Sequence, residues 1–121
     1  MTNERGSVSI VVAAGVGMSL MIAIGVADVG RALIARSRAE AVADLAALAA
    51  AQDLALQADP DPPAVAERFA SANGARLVSC ACAVGSSEAI VSVAVRVGGF
   101  LLPIGDRDVI ASARAVVDLP A

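Results

Sequence analysis

The sequence predicts an α+β fold: a long N-terminal transmembrane α-helix, then a small head of one short helix packed on a three-stranded antiparallel sheet. Three observations carry this. Ser7 to Ala27 is 21 residues without a charge. The Ala-rich stretch behind it contains no proline until Pro60, and the last third of the chain alternates apolar and polar residues in three runs. The organisation that follows is a leader-like tail over residues 1–6, a transmembrane helix over 7–27, an Ala-rich helical extension over 28–57 and a small α+β head over 58–121.

At 1.5 Å per residue a helix needs about 20 residues to cross the hydrocarbon core, so the uncharged stretch fits one span. A buried core helix of that length would need an enclosing shell that a chain of 121 residues lacks. A secretory signal peptide is the competing reading, with Arg5 as its charged region and Gly25-Val26-Ala27 as the cleavage site before Asp28. The apolar stretch exceeds the usual signal core of about 7–15 residues, and helix-forming sequence continues through the supposed site. A retained anchor is therefore preferred. Gly15 and Gly17 lie inside it as small residues suited to close helix packing in lipid.

Beyond Asp28, residues rich in Ala, Leu, Arg and Glu continue the helix, giving one rod of about 50 residues at ordinary helical propensity. Ile34, Ala41, Leu45 and Leu48 follow steps of 7, 4 and 3 residues and define an apolar stripe, interrupted by Arg38 and Gln52, that packs on the head or on a neighbouring helix. Arg36 and Glu40, four apart, are expected to pair on the solvated side. Asp59-Pro60-Asp61-Pro62-Pro63 ends the rod and opens the next helix, with Asp61 at its N-terminus. That helix runs from Ala64 to Ala72, faces inward with Val65, Phe69 and Ala72, and stops at Asn73-Gly74.

The three strands are expected over 76–84, 89–97 and 109–117. Their apolar faces are Val78, Cys80, Cys82 and Val84; Val91, Val93, Val95 and Val97; and Ala111, Ala113 and Ala115. Gly85 to Glu88 joins the first two as a hairpin. Gly98 to Asp106 connects the last two and carries Phe100, Leu101, Leu102 and Ile104 where polar residues are the rule, either to cover one end of the sheet or to touch a partner or membrane.

Composition excludes much chemistry. All nine basic residues are Arg and the net charge is -3, which leaves no basic footprint for nucleic acid. Without His there is no Ser-His or Cys-His nucleophile, and without Lys no phosphate-binding loop of the P-loop type. Asp106 and Asp108, two apart, read as solvated turn acids. Cys80 and Cys82 read as two small buried hydrophobes, since a bridge between them would strain an extended backbone; a redox, lipidated or intermolecular thiol is the alternative, and a lone C-x-C is a weak metal signal. No catalytic, cofactor-binding or metal-ligating residue is assigned, and neither a cofactor nor a small-molecule substrate is expected.

Arg5-Gly6-Ser7 ahead of the uncharged helix, the run from Arg38 to Ala51, and Ala72-Asn73-Gly74-Ala75-Arg76-Leu77-Val78-Ser79-Cys80 resemble the pilin-like membrane proteins of tight-adherence (Tad, Flp-type) systems. The chain looks in particular like the TadE-like proteins that actinobacteria encode beside secretion ATPases. The resemblance implies a non-enzymatic single-span subunit of a pilus or secretion assembly, its helix packed on other pilin-like or secretion-system subunits. It implies cutting after Gly6, which leaves Ser7 as the new N-terminus. Val11 stands where many such proteins carry a Glu, which favours an accessory or minor subunit. Arg31, Arg36 and Arg38 after the span favour a cytoplasmic C-terminus by simple counting, whereas the resemblance implies an extracytoplasmic head at the cell membrane. The alternative is a small secreted binding or effector protein, released by signal peptidase between Ala27 and Asp28.

Overall fold

The computed structural model describes residues 3–118, with side chains from Gly6 onward. The expected tail over residues 1–6 falls partly outside the described residues; within them, the helix already begins at Asn3.

Helix α1 runs unbroken from Asn3 to Leu56, 54 residues. It carries no proline, and it crosses the Ala27–Asp28 junction without a break. Gln57, in the left-handed region at φ 50°, turns the chain out of it. Helix α2 spans Pro62–Ala72. Asp61 caps it as expected, its carboxylate accepting from the Ala64 N–H at 3.4 Å, and Pro62 and Pro63 fill first-turn positions where a missing N–H costs nothing.

Strands β1 (Arg76–Ala81), β2 (Glu88–Val97) and β3 (Arg107–Val116) form one antiparallel sheet in the order β1-β2-β3. The expected inner faces of β2 and β3 hold: Val91, Val93, Val95 and Val97 are buried, as is Ala111, with Ala113 and Ala115 packed against the same core. The expected face of β1 holds only at Cys80 and Cys82. The register slips between Leu77 and Ser79, so a bulge at Val78 brings Leu77 and Cys80 to the core side and leaves Val78 exposed. The strand ends at Ala81, and Val84 is exposed in the turn that follows.

The second half of α1 lies across β2 and β3, while α2 packs on β1 and on α1. The sheet is thus covered mainly by the long helix, with the short helix at its side. The faces that meet are built from small residues. Ala39, Ala43, Ala46 and Ala50 of α1 are fully buried against Val91 and Val93, the largest fully buried side chains. Small residues allow backbones to approach closely, and for the same reason α2 turns Val65, Ala66 and Ala70 inward rather than Phe69 and Ala72, which stay exposed.

Candidate assembly surface and helix–loop clamp

Two features of α1 point outward from this core. The first is the stripe expected to pack. Ile34 (71% exposed), Ala41, Leu45 (47%) and Leu48 (52%) are all exposed, so of the two expected partners the chain's own head is not the one they meet. The reason is helical phase. The alanines at 35, 39, 43, 46, 47 and 50, with Val42, take the head-facing side, where mostly small side chains meet the valine-lined sheet. Ile34, Leu45 and Leu48 are left on another face.

Arg38, which interrupts the stripe in sequence, serves the head. Its guanidinium donates to the Asn73 carbonyl at 3.2 Å, at the C-cap of α2. Gly74 follows in the left-handed region at φ +73°, where a β-carbon would sit 2.8 Å from Arg38 Nη2. The backbone conformation calls for glycine there, and a β-carbon would displace the Arg38 guanidinium. Arg36 and Glu40 pair at 3.0 Å as expected, with both side chains well exposed.

Inside the apolar stretch, Gly15 and Gly17 lie on exposed helix surface, and a β-carbon on either would meet nothing within 4 Å. Their small size answers no need of the chain's own fold. Gly6 and Ser7 are exposed within the first turns of α1. Ala27 is exposed and Asp28 is buried, both within continuous helix.

The second feature is Asp28 itself. Its carboxylate accepts from the backbone N–H of Leu101 at 2.9 Å and of Leu102 at 3.0 Å, clamping the β2–β3 loop to the helix at the last turn of the apolar stretch. These two bonds hold its pKa below the ordinary carboxylate value; desolvation opposes them, and the positive charge of Arg31 assists. The sequence singled out Asp28 only as a residue next to a cleavage site. A usable signal was present: a carboxylate directly after an apolar span is costly unless donors meet it.

Three further acids are engaged locally, none of them grouped with another into a site. Asp59 accepts from the Asp61 N–H and from Arg68, Asp106 pairs with Arg96 at 3.6 Å, and Asp108 with Arg76 at 3.2 Å. Among the described residues no group of His, Cys, Asp and Glu is arranged to hold a metal ion.

The two cysteines correct the expectation of separate buried thiols. Cys80 and Cys82 form a disulfide, with Cys82 buried and Cys80 half-buried. A bridge would strain a backbone extended through both residues, but β1 ends at Ala81, and the Cα atoms lie 5.4 Å apart, within the range a bridge requires.

Residues 6–53 match the model of a family described as putative Flp pilus-assembly TadE/G-like. The match covers nearly all of α1, and the head lies outside it. No curated protein and no solved structure matches the chain.

Proposed function

We propose that this chain, whose long helix is that of the TadE/G-like Flp pilus-assembly family, is a pilin-like subunit that crosses the membrane once and packs its helix on partner subunits. One observation carries the packing. Val16, Leu20, Ala27, Ile34, Ala41, Leu45 and Leu48 follow one another by 4, 7, 7, 7, 4 and 3 residues, and all are exposed. That spacing is the seam of a helix meeting another helix, and it continues from the apolar stretch into the part that carries the head. Gly15 and Gly17, unneeded by the fold, would let a neighbour approach closely in lipid.

Retention of the helix is supported by its continuity through Ala27 and Asp28, because the same rod that would anchor the chain also covers the sheet. The Cys80–Cys82 disulfide supports an extracytoplasmic head, since such bonds persist in oxidising compartments. It favours the orientation the family implies over the one obtained by counting arginines. Processing after Gly6, leaving Ser7 first, completes the reading.

Mass spectrometry of the mature N-terminus tests it. Ser7 is the expected first residue. Asp28 would replace this reading with a secreted protein, and an intact start would leave a plain anchor. Photo-crosslinkers at Leu45 and Leu48 should capture a neighbouring subunit of the membrane-anchored assembly, and one at Ser112, on the sheet's outer face, should not.

A further inference from the structure

The β2–β3 loop ends in an apolar tip beside the apolar stretch of α1. Leu101 is 59% exposed, Leu102 39% and Ile104 44%. Exposed aliphatics on a tight loop are unusual in water, and their position is particular. The loop is fixed at Asp28, the first charge after the uncharged stretch. Within that stretch only Ile24 and Gly25 are half-buried, and they lie four and three residues before Asp28, on its face of the helix. The loop is therefore held at the end of the apolar stretch. With Ser7–Ala27 across the hydrocarbon core, Asp28 falls at the boundary with the headgroups and Ile24 about 6 Å deeper, at 1.5 Å per residue.

Backbone entering that depth must have its N–H groups satisfied, because no water is there to do it. The tip meets this condition. Leu101 and Leu102 donate to Asp28, Pro103 has no N–H, and Ile104 donates to the Leu102 carbonyl at 2.8 Å. Arg31 lies one turn above Asp28, with Nη1 3.7 Å from where a Gly99 β-carbon would be, at the height of lipid phosphates.

We propose that the tip of the β2–β3 loop, through Leu101, Leu102 and Ile104, is a second membrane contact that enters the bilayer interface beside the helix. The occupant of this surface is lipid. The inference rests on the reading of Ser7–Ala27 as a span, and its test separates the two.

The chain has no Trp and no Tyr, so a single introduced tryptophan is the only strong emitter. Leu101→Trp, Met18→Trp and Val84→Trp each replace an exposed side chain: on the tip, in the middle of the apolar stretch, and in the turn after β1. The full-length variants are placed at low density in phosphatidylcholine–phosphatidylglycerol vesicles whose acyl chains are brominated either near the headgroup or near the chain end. The expected result is that Leu101→Trp loses most of its emission to shallow bromine, Met18→Trp to deep bromine, and Val84→Trp to neither. If Met18→Trp is quenched while Leu101→Trp behaves like Val84→Trp, the loop does not touch lipid and the inference is overturned with the span intact. Blue-shifted but unquenched emission from Leu101→Trp means burial against protein, which also overturns it. Unquenched Met18→Trp removes the span itself, and the inference with it.

Discussion

Asp28 and Leu101 are 73 residues apart in the chain, yet the carboxylate of one holds the backbone N–H of the other at 2.9 Å. The second carboxylate oxygen holds Leu102. Alanine at position 28 removes both acceptors, and asparagine keeps one. Amide hydrogen exchange in detergent micelles should therefore speed up at both Leu101 and Leu102 in Asp28→Ala and mainly at one of them in Asp28→Asn. Equal exchange in all three proteins would show that the carboxylate does not hold the loop.

The same pair has a pH signature. A carboxylate with a lowered folded-state pKa contributes stability that is fully present above its unfolded value, about 3.9 for Asp, and is lost as pH falls through the folded value. The clamp should hold throughout the mildly acidic range and open only in stronger acid. Following the Leu101 amide resonance against pH should give an inflection below the ordinary carboxylate range. An inflection at or above that range would contradict the hydrogen-bonded geometry.

The alanines and leucines of α1 should respond in opposite ways. Ala46→Leu forces a larger side chain into a fully buried position against the sheet and should cost about 1–3 kcal/mol of stability. Leu45→Ala and Leu48→Ala alter exposed positions and should stay within about 0.5 kcal/mol, while weakening recovery of crosslinked or co-purified neighbours. Thermal denaturation of the chain in micelles reads the first effect and membrane crosslinking the second.

This contrast also marks how far the sequence could be read. The elements were legible because each has strong local chemistry: an uncharged stretch, Asp61 with two prolines, Asn73-Gly74, and valines alternating along β2. The faces were less legible. An apolar stripe at helical spacing says that Ile34, Ala41, Leu45 and Leu48 share a side, not whether that side meets the chain's own sheet. The decision belongs to the fit between layers, where alanine opposes valine. In β1 the period of two was read correctly but was broken by one bulged residue, Val78, whose only trace is a slip in pairing. For the clamp, the sequence marks Asp28 as a carboxylate in need of donors but not which donors, because Asp28 and the loop meet only once the sheet is folded against the helix.

Gly74 and Arg38 supply a test of local strain. Gly74→Ala places a β-carbon in the left-handed region, at about 1–2 kcal/mol, and also displaces the guanidinium that reaches Asn73. Gly85→Ala, at φ +88° with open space around it, carries only the backbone cost. Gly74→Ala should therefore be the more destabilising of the two, and the difference should vanish when Arg38→Ala is present in both. A difference that survives Arg38→Ala would remove the guanidinium from the explanation.

Asp53 is a liability within the core. The residue is 8% exposed, and Oδ2 is buried with no hydrogen-bond partner. Burying a polar oxygen without a partner typically costs about 1–3 kcal/mol, and alanine is the better helix former. Asp53→Ala should raise the melting temperature despite the lost volume. A fall would show that the carboxylate is met by a group contributed from outside the chain.

The unbroken course of α1 has a mechanical meaning. From Asp28 to Leu56 the rod extends about 40 Å at 1.5 Å per residue. It has no proline or other built-in hinge, the head is seated along it, and the loop is tied back to its base. A tilt of about 20°, ordinary for a membrane helix, would swing the far end sideways by roughly 15 Å and carry the sheet with it. In the proposed membrane arrangement the molecule is a lever whose fulcrum lies at the bilayer surface, so a push on the apolar segment would be felt at the far end of the head.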